Sequence, residues 1–384
     1  MKKLLLGSTA LVAAGLIAGP AAAQLELSIS GSVDFHMGIS SEDEPAAVAG
    51  VSGGSRGYGF TTDTTLNIDA DGVSDNGLEY GSRINIDDTG ILSLDTDDTL
   101  TGTTAVTDLF ATGLQIDEAY VFVSGSFGQL RFGNTDPAAS ELRFVMPTVG
   151  NGQADGDFER YLIGEGKNAF GTDFAHDSDA TKIVYLGDFG DFTVGASFTP
   201  NDTLAQGSFP SIGEFDGDLE NVISLGANYN GTFGGTSIGV SGGYNMGDIV
   251  GIAPNSGGDH TEFGVGAEVG LGAITVGGFW IDSEQEDSSG VVAVDRMRYG
   301  LGASFSTGPW SFAANALIGE NDATAASTTD GGEDTVYGVG LEYSLAPGLT
   351  PYADLVIFDF DDNSGVATDD NDGSVFIVGV TASF

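Results

Sequence analysis

Leu25-Glu26-Leu27-Ser28-Ile29-Ser30-Gly31-Ser32-Val33-Asp34-Phe35-His36-Met37-Gly38-Ile39 alternates almost without fault: nearly every odd position is apolar, every even one polar or small. A strand turns successive side chains to opposite faces, so this stretch is a strand with one apolar and one polar face. The same period recurs to the end of the chain. It marks segments at 25–39, 57–70, 77–88, 113–124, 127–134, 181–187, 191–199 and 221–231. It continues at 234–247, 260–270, 272–283, 295–306, 309–321, 333–345, 349–360 and 373–384. That makes sixteen, the even number a closed antiparallel barrel requires.

The connections alternate long and short. Long ones run 40–56, 89–112, 135–180, 200–220, 248–259, 284–294, 322–332 and 361–372, and those between them are tight turns such as Gly125-Ser126 and Thr307-Gly308. Transmembrane barrels sort their loops this way, whereas a soluble sandwich has no reason to. Charges follow the pattern. Arg83, Arg131 and Arg298 take the opposite parity to their apolar neighbours, as do Glu262, Glu268 and Glu342. An Arg facing mid-bilayer lipid costs about 2–4 kcal/mol, so the apolar side faces out and the polar side lines something wet. Aromatics fall where two girdles need them: Tyr229, Phe305, Trp310, Tyr343 and Phe384 at the turn side, Phe198, Tyr244, Trp280, Tyr299 and Tyr337 at the loop side. Two strands fit badly. The apolar phase shifts between Ile116 and Ala119, which suggests a bulge, and Tyr352 to Phe360 is partly apolar on both parities, open to a subunit contact.

The termini agree. Met1-Lys2-Lys3, an apolar Leu4–Ile17 and Ala21-Ala22-Ala23 read as a cleaved signal peptide over 1–23, with one barrel domain over 24–384. That leader is the one continuous apolar run of spanning length, so any spanning must be by strands. Without it, 9 basic residues face 56 acidic ones, a formal charge of −47. Such a balance opposes nucleic-acid binding and draws cations. There is no Cys, hence no disulfide or thiol chemistry. Enzyme readings find little: Gly239-Val240-Ser241-Gly242-Gly243 fits G-x-S-x-G but sits inside an alternating strand, and His36, His176 and His260 are scattered. His36 has lumen parity and reads as a polar lining residue.

The final Val375-Phe376-Ile377-Val378-Gly379-Val380-Thr381-Ala382-Ser383-Phe384 resembles the closing strand of bacterial outer-membrane barrels, which ends on an aromatic. Gly125-Ser126-Phe127-Gly128-Gln129-Leu130-Arg131-Phe132-Gly133 resembles the strand before the constriction loop of Gram-negative general-diffusion porins. Lys182 to Phe192 resembles the strand-turn-strand after it. The acidic balance is similar to that of the alphaproteobacterial, Rhodobacter-type branch. One departure is Asn134, where the family motif often has Arg; the missing wall cation could have moved to Arg143.

The resemblance implies a fold and a function. The fold is a 16-stranded antiparallel transmembrane β-barrel with short periplasmic turns, long extracellular loops and an inward-folded third loop, here 135–180. The function is passive diffusion of small hydrophilic solutes and ions through a homotrimer in the outer membrane, with no enzymatic step. The constriction is expected from Asp155, Asp157 and Glu159 set against Arg83 and Arg131, with Arg143 and Arg160 beside them. Opposed charges of this kind orient polar solutes, and −47 overall predicts cation selectivity. Acidic loop runs suit Ca²⁺ or Mg²⁺, which could bridge lipopolysaccharide: Asp95, Asp97 and Asp98, and Asp359, Asp361 and Asp362. None forms an EF-hand. Alternatives from other classes are a barrel serving as an adhesin or structural anchor, or a substrate-specific channel, for which Tyr120 and Phe122 have the right parity.

Overall fold

The computed structural model describes residues 25–42, 57–87, 115–162, 172–174, 179–202, 219–251, 257–322, 331–361 and 371–384. They form sixteen strands. The first eight are β1 (Glu26–Glu42), β2 (Tyr58–Val73), β3 (Glu79–Asp87), β4 (Gln115–Gly125), β5 (Gly128–Asn134), β6 (Thr181–Phe189), β7 (Phe192–Asn201) and β8 (Leu219–Phe233). The rest are β9 (Thr236–Ile249), β10 (Gly258–Leu271), β11 (Ile274–Asp287), β12 (Val292–Thr307), β13 (Trp310–Asn321), β14 (Gly332–Tyr343), β15 (Leu349–Asp361) and β16 (Asn371–Ser383).

Each strand pairs with its sequence neighbour and β16 returns antiparallel to β1, closing the barrel. At the seam Gly31 N donates to Phe384 O at 3.1 Å and Phe384 N to Gly31 O at 2.9 Å. Closure matters because lipid offers no partner to an unpaired backbone group. Turns that need a left-handed residue have glycine there, as at Gly190 (φ 72°) and Gly308 (φ 59°).

The barrel is apolar outside. Leu301 (64% exposed), Phe60 (62%) and Tyr337 (52%) point outward, while His36, Glu262 and Arg298 are buried inside. Aromatics cluster at the turn end, where Trp310 lies 4.6 Å from Tyr343 and Phe192 4.9 Å from Tyr229, ring centre to ring centre. Toward the loop end Phe263 meets Trp280 at 6.1 Å. Amphipathic rings favour the two interfaces.

The phase shift near Ile116 is a bulge: the β3–β4 register slips between Ile84 and Ile86, opposite Ala119 and Ile116. The mixed parity of β15 has a cause inside the barrel. Its inward side chains Tyr352, Val356, Phe358 and Phe360 are buried inside the barrel, while Leu355 and Ile357 face outward. Something apolar covers them from within.

Candidate functional site

That cover is the chain after β5. It enters the barrel through a short helix α1 (Ala138–Glu141) and continues through 3-10 turns at Gln153–Asp155 and Asp157–Tyr161. A buried irregular segment carries backbone groups that need partners, and the wall supplies them strand by strand. Ser197 Oγ accepts from Ala138 N (3.1 Å) and Ser224 Oγ from Ala139 N (2.9 Å). Ser241 Oγ accepts from Phe144 N at 2.7 Å. Farther along, Glu342 accepts from Gly150 N (3.2 Å), Asp354 from Asn151 N (2.7 Å) and Asn315 from Ala154 N (3.2 Å).

Close approach also needs missing side chains. A Cβ on Gly226 would collide with the Ala138 carbonyl, one on Gly266 with the Phe144 carbonyl, and one on Gly38 with the Tyr161 ring. The segment therefore runs circumferentially along the inner wall, from α1 on β7–β9 to the second 3-10 turn on β16 and β1. Its far end is apolar and ionic. Phe158 stacks on Phe358 at 6.1 Å, which stacks on Phe360 at 5.0 Å. Tyr161 Oη lies 3.0 Å from His36 Nδ1, whose Nε2 is 2.9 Å from Asp63; Arg160 also pairs with Asp63. His36 is thus a fully buried anchor for the loop, not a lining residue.

These contacts leave the arc of wall from β3 to β5 facing the loop across the lumen. The arc is charged. Arg83 Nε donates to Asp69 at 2.7 Å. Arg131 donates to Gln129 at 2.7 Å and to the α1 residue Glu141 at 2.8 Å, with its guanidinium 5.1 Å from the centre of the Tyr120 ring. Asn85 donates to Asn67 at 2.9 Å beside them.

A model of the Gram-negative porin family matches residues 7–363, almost the whole chain. The chain belongs to that family. The porin is an outer-membrane β-barrel channel. Solved structures share its fold. An anion-selective porin from Comamonas acidovorans is 17% identical, with a TM-score of 0.60 over 94% of this chain and 100% of that one. The Vibrio cholerae outer-membrane protein OmpT, in its trimer form, is 12% identical, with a TM-score of 0.59 over 94% and 99%. A porin refined at 1.8 Å resolution is 20% identical, with a TM-score of 0.58 over 94% and 100%. At these identities the likeness is one of fold alone. No curated protein matches the sequence significantly.

Within the porin, the residues singled out from sequence fall into three places. Arg83 and Arg131 lie on the open arc. Arg143 lies on the loop, paired with Asp173, whereas the side chain of Asn134, on β5, accepts from Thr181. Asp157, Glu159 and Arg160 share the second 3-10 turn, where Asp157 and Arg160 approach to 3.3 Å. Asp155 accepts from Thr172 N (3.3 Å) and Oγ1 (3.1 Å), tying the outgoing loop to its return. Burial and the neighbouring Asp173 push its carboxyl up to about 6, against the Thr172 bonds. Burial likewise raises Asp157, opposed by Arg160. At the loop's exit, burial and then Asp136 and Asp117 raise Asp179.

The pairing of the arginines with Asp69, Glu141 and Asp63 was not legible in the sequence, although Asp63 and Asp69 have lumen parity in β2. Asp359 and Asp361 lie on β15 with outward parity, and among the described residues no three acidic or imidazole groups converge as a metal would need. Asp95, Asp97, Asp98, Asp362 and residues 1–23 lie outside the described residues. Gly239–Gly243 is plain strand within β9.

Proposed function

We propose that this porin is a cation-selective diffusion channel, exported by a cleaved leader over 1–23 and working as a homotrimer. Solutes pass between the loop and the β3–β5 wall, with Arg83, Arg131, Asp69 and Glu141 facing the path. The observation that carries the sign of selectivity is pairing. Arg83 and Arg131 each hold a carboxylate of their own, so the wall is close to neutral. The large acidic surplus elsewhere then sets the potential at the mouths. The Vibrio relative's trimer form supports assembly in threes.

Reversal potentials in planar bilayers under a salt gradient test the reading. Cation-selective steps in groups of three are expected. Anion selectivity, as in the Comamonas relative, overturns the sign. Absence of conductance from heat-modifiable, folded protein overturns diffusion itself.

A further inference from the structure

A row of inward side chains crosses the wall on the extracellular side of the loop. In register order it reads Asn245 (β9), Glu262 (β10), Ser283 (β11), Arg296 (β12) and Asn321 (β13). Arg298 shares the inward face of β12 two residues along, about 7 Å away at strand spacing. Its guanidinium donates to Glu262 at 2.7 Å, and both side chains are buried. Glu262 is therefore spent on Arg298 and on Asn245, which donates to it. Arg296 is left over. In a chain of 56 acidic residues it has no hydrogen bond or ion pair among the described residues, and Arg298, a like charge, is its neighbour on the inward face of β12. Its side chain is partly exposed.

Further unsatisfied polar atoms flank Arg296 on the inward face. Arg298 is only 7% exposed, yet its Nε is a buried donor with no acceptor. Asn321, directly across from Arg296, has a buried Oδ1 with no partner, so its amide is free to turn its NH₂ inward. The Arg296 guanidinium, Ser283 hydroxyl and Asn321 amide are register neighbours and make a set of donors with no anion among the described residues. A planar carboxylate fits them, since it accepts a guanidinium's two parallel donors.

We propose that Arg296, with Ser283 and Asn321, forms a subsite for the carboxylate of a small organic acid on the extracellular side of the loop. In a channel whose mouths favour cations, it gives carboxylate solutes a foothold that bulk charge denies them. The inference goes beyond the diffusion reading, and equilibrium binding tests it apart from conductance.

Equilibrium dialysis of radiolabelled succinate against the folded, detergent-solubilised chain is the test. One site per chain is expected. Arg296→Gln should weaken it about tenfold, the scale of one charge-assisted pair. Arg296→Lys, which keeps the charge and loses the fork, should retain part of it. Folding of each variant is read from heat-modifiable mobility. Unchanged succinate binding in folded R296Q overturns the subsite, as does equal displacement by chloride at equal concentration, which marks ionic screening alone. In bilayers, succinate should interrupt the wild-type current for longer than the R296Q current. A conducting wild type that ignores succinate removes the subsite and leaves the channel standing; a wild type that binds succinate and does not conduct does the reverse.

Discussion

Two arcs of one wall share a strand pattern and differ in what they face. From β7 round to β1 the inward positions that meet the loop backbone are largely glycine, serine and asparagine, with Glu342 and Asp354 as further acceptors and aromatic side chains on β15. From β3 to β5 they are Arg83, Tyr120, Phe122 and Arg131. Outside, the two arcs are alike, with Phe132 and Ile84 on one as exposed as Val276 and Phe376 on the other. The difference teaches that lipid dictates one face uniformly, while the other is dictated position by position by its neighbour. Where backbone lies on the wall, side chains shrink or offer acceptors; where water does, they carry charge.

The sharpest way to break this comparison is to crowd the covered arc. Gly266→Val places side-chain atoms where the Phe144 carbonyl sits. Overpacking of this kind costs about 1–3 kcal/mol, enough to lift the loop from its seat. Single-channel conductance should rise about twofold or more, the lumen being wide at this strand count. Unchanged conductance in a folded variant would mean the loop does not narrow the path.

On the open arc, Arg131→Gln removes a cation and leaves Glu141 uncompensated. Cation preference should strengthen about two- to fivefold by reversal potential, roughly 0.5–1 kcal/mol of added bias. A shift toward anions would contradict the pairing argument.

A smaller, pH-dependent effect belongs to Asp155, whose carboxyl is pushed up to about 6. It is ionised at pH 7 and protonated at pH 5, so cation selectivity should weaken as pH falls through about 6. The linked stability has a definite sign. Because the folded carboxyl is raised, the folded state holds more protons than the unfolded one between about 4 and 6, and the folded loop loses stability as pH rises through that window, the cost of burying the charge beside Asp173 exceeding what the Thr172 bonds return. Asp155→Asn should abolish both trends; a midpoint near 6 that survives it would assign the titration elsewhere.

The least change is expected from Tyr161→Phe, which removes the Oη bond to His36 and leaves the ring over Gly38. About 1 kcal/mol of loop anchoring should go, read as more frequent brief current excursions. No change would place the anchoring in Phe158 and Arg160 instead.

Parity in the sequence located all sixteen strands, the outward face, the bulge opposite Ala119 and the arginine wall. Pairing partners were harder to see: Asp69 meets Arg83 and Glu141 meets Arg131 across strand and loop, at separations no local period records. The apolar inward side of β15 was visible as an anomaly, and its meaning was not, because the rings that cover it are some 200 residues away in the chain.

By itself, then, the sequence determined a closed barrel turned inside out, since a period of two is local and lipid penalises every outward charge alike. The path of the loop was decided only by tertiary structure. Its backbone groups find Ser197, Ser224, Ser241, Asn315 and Asp354 one strand at a time, and such matches exist only once the wall has closed. Tertiary structure likewise gives Arg296 no carboxylate among the described residues, because Arg298 reaches across β11 to take Glu262.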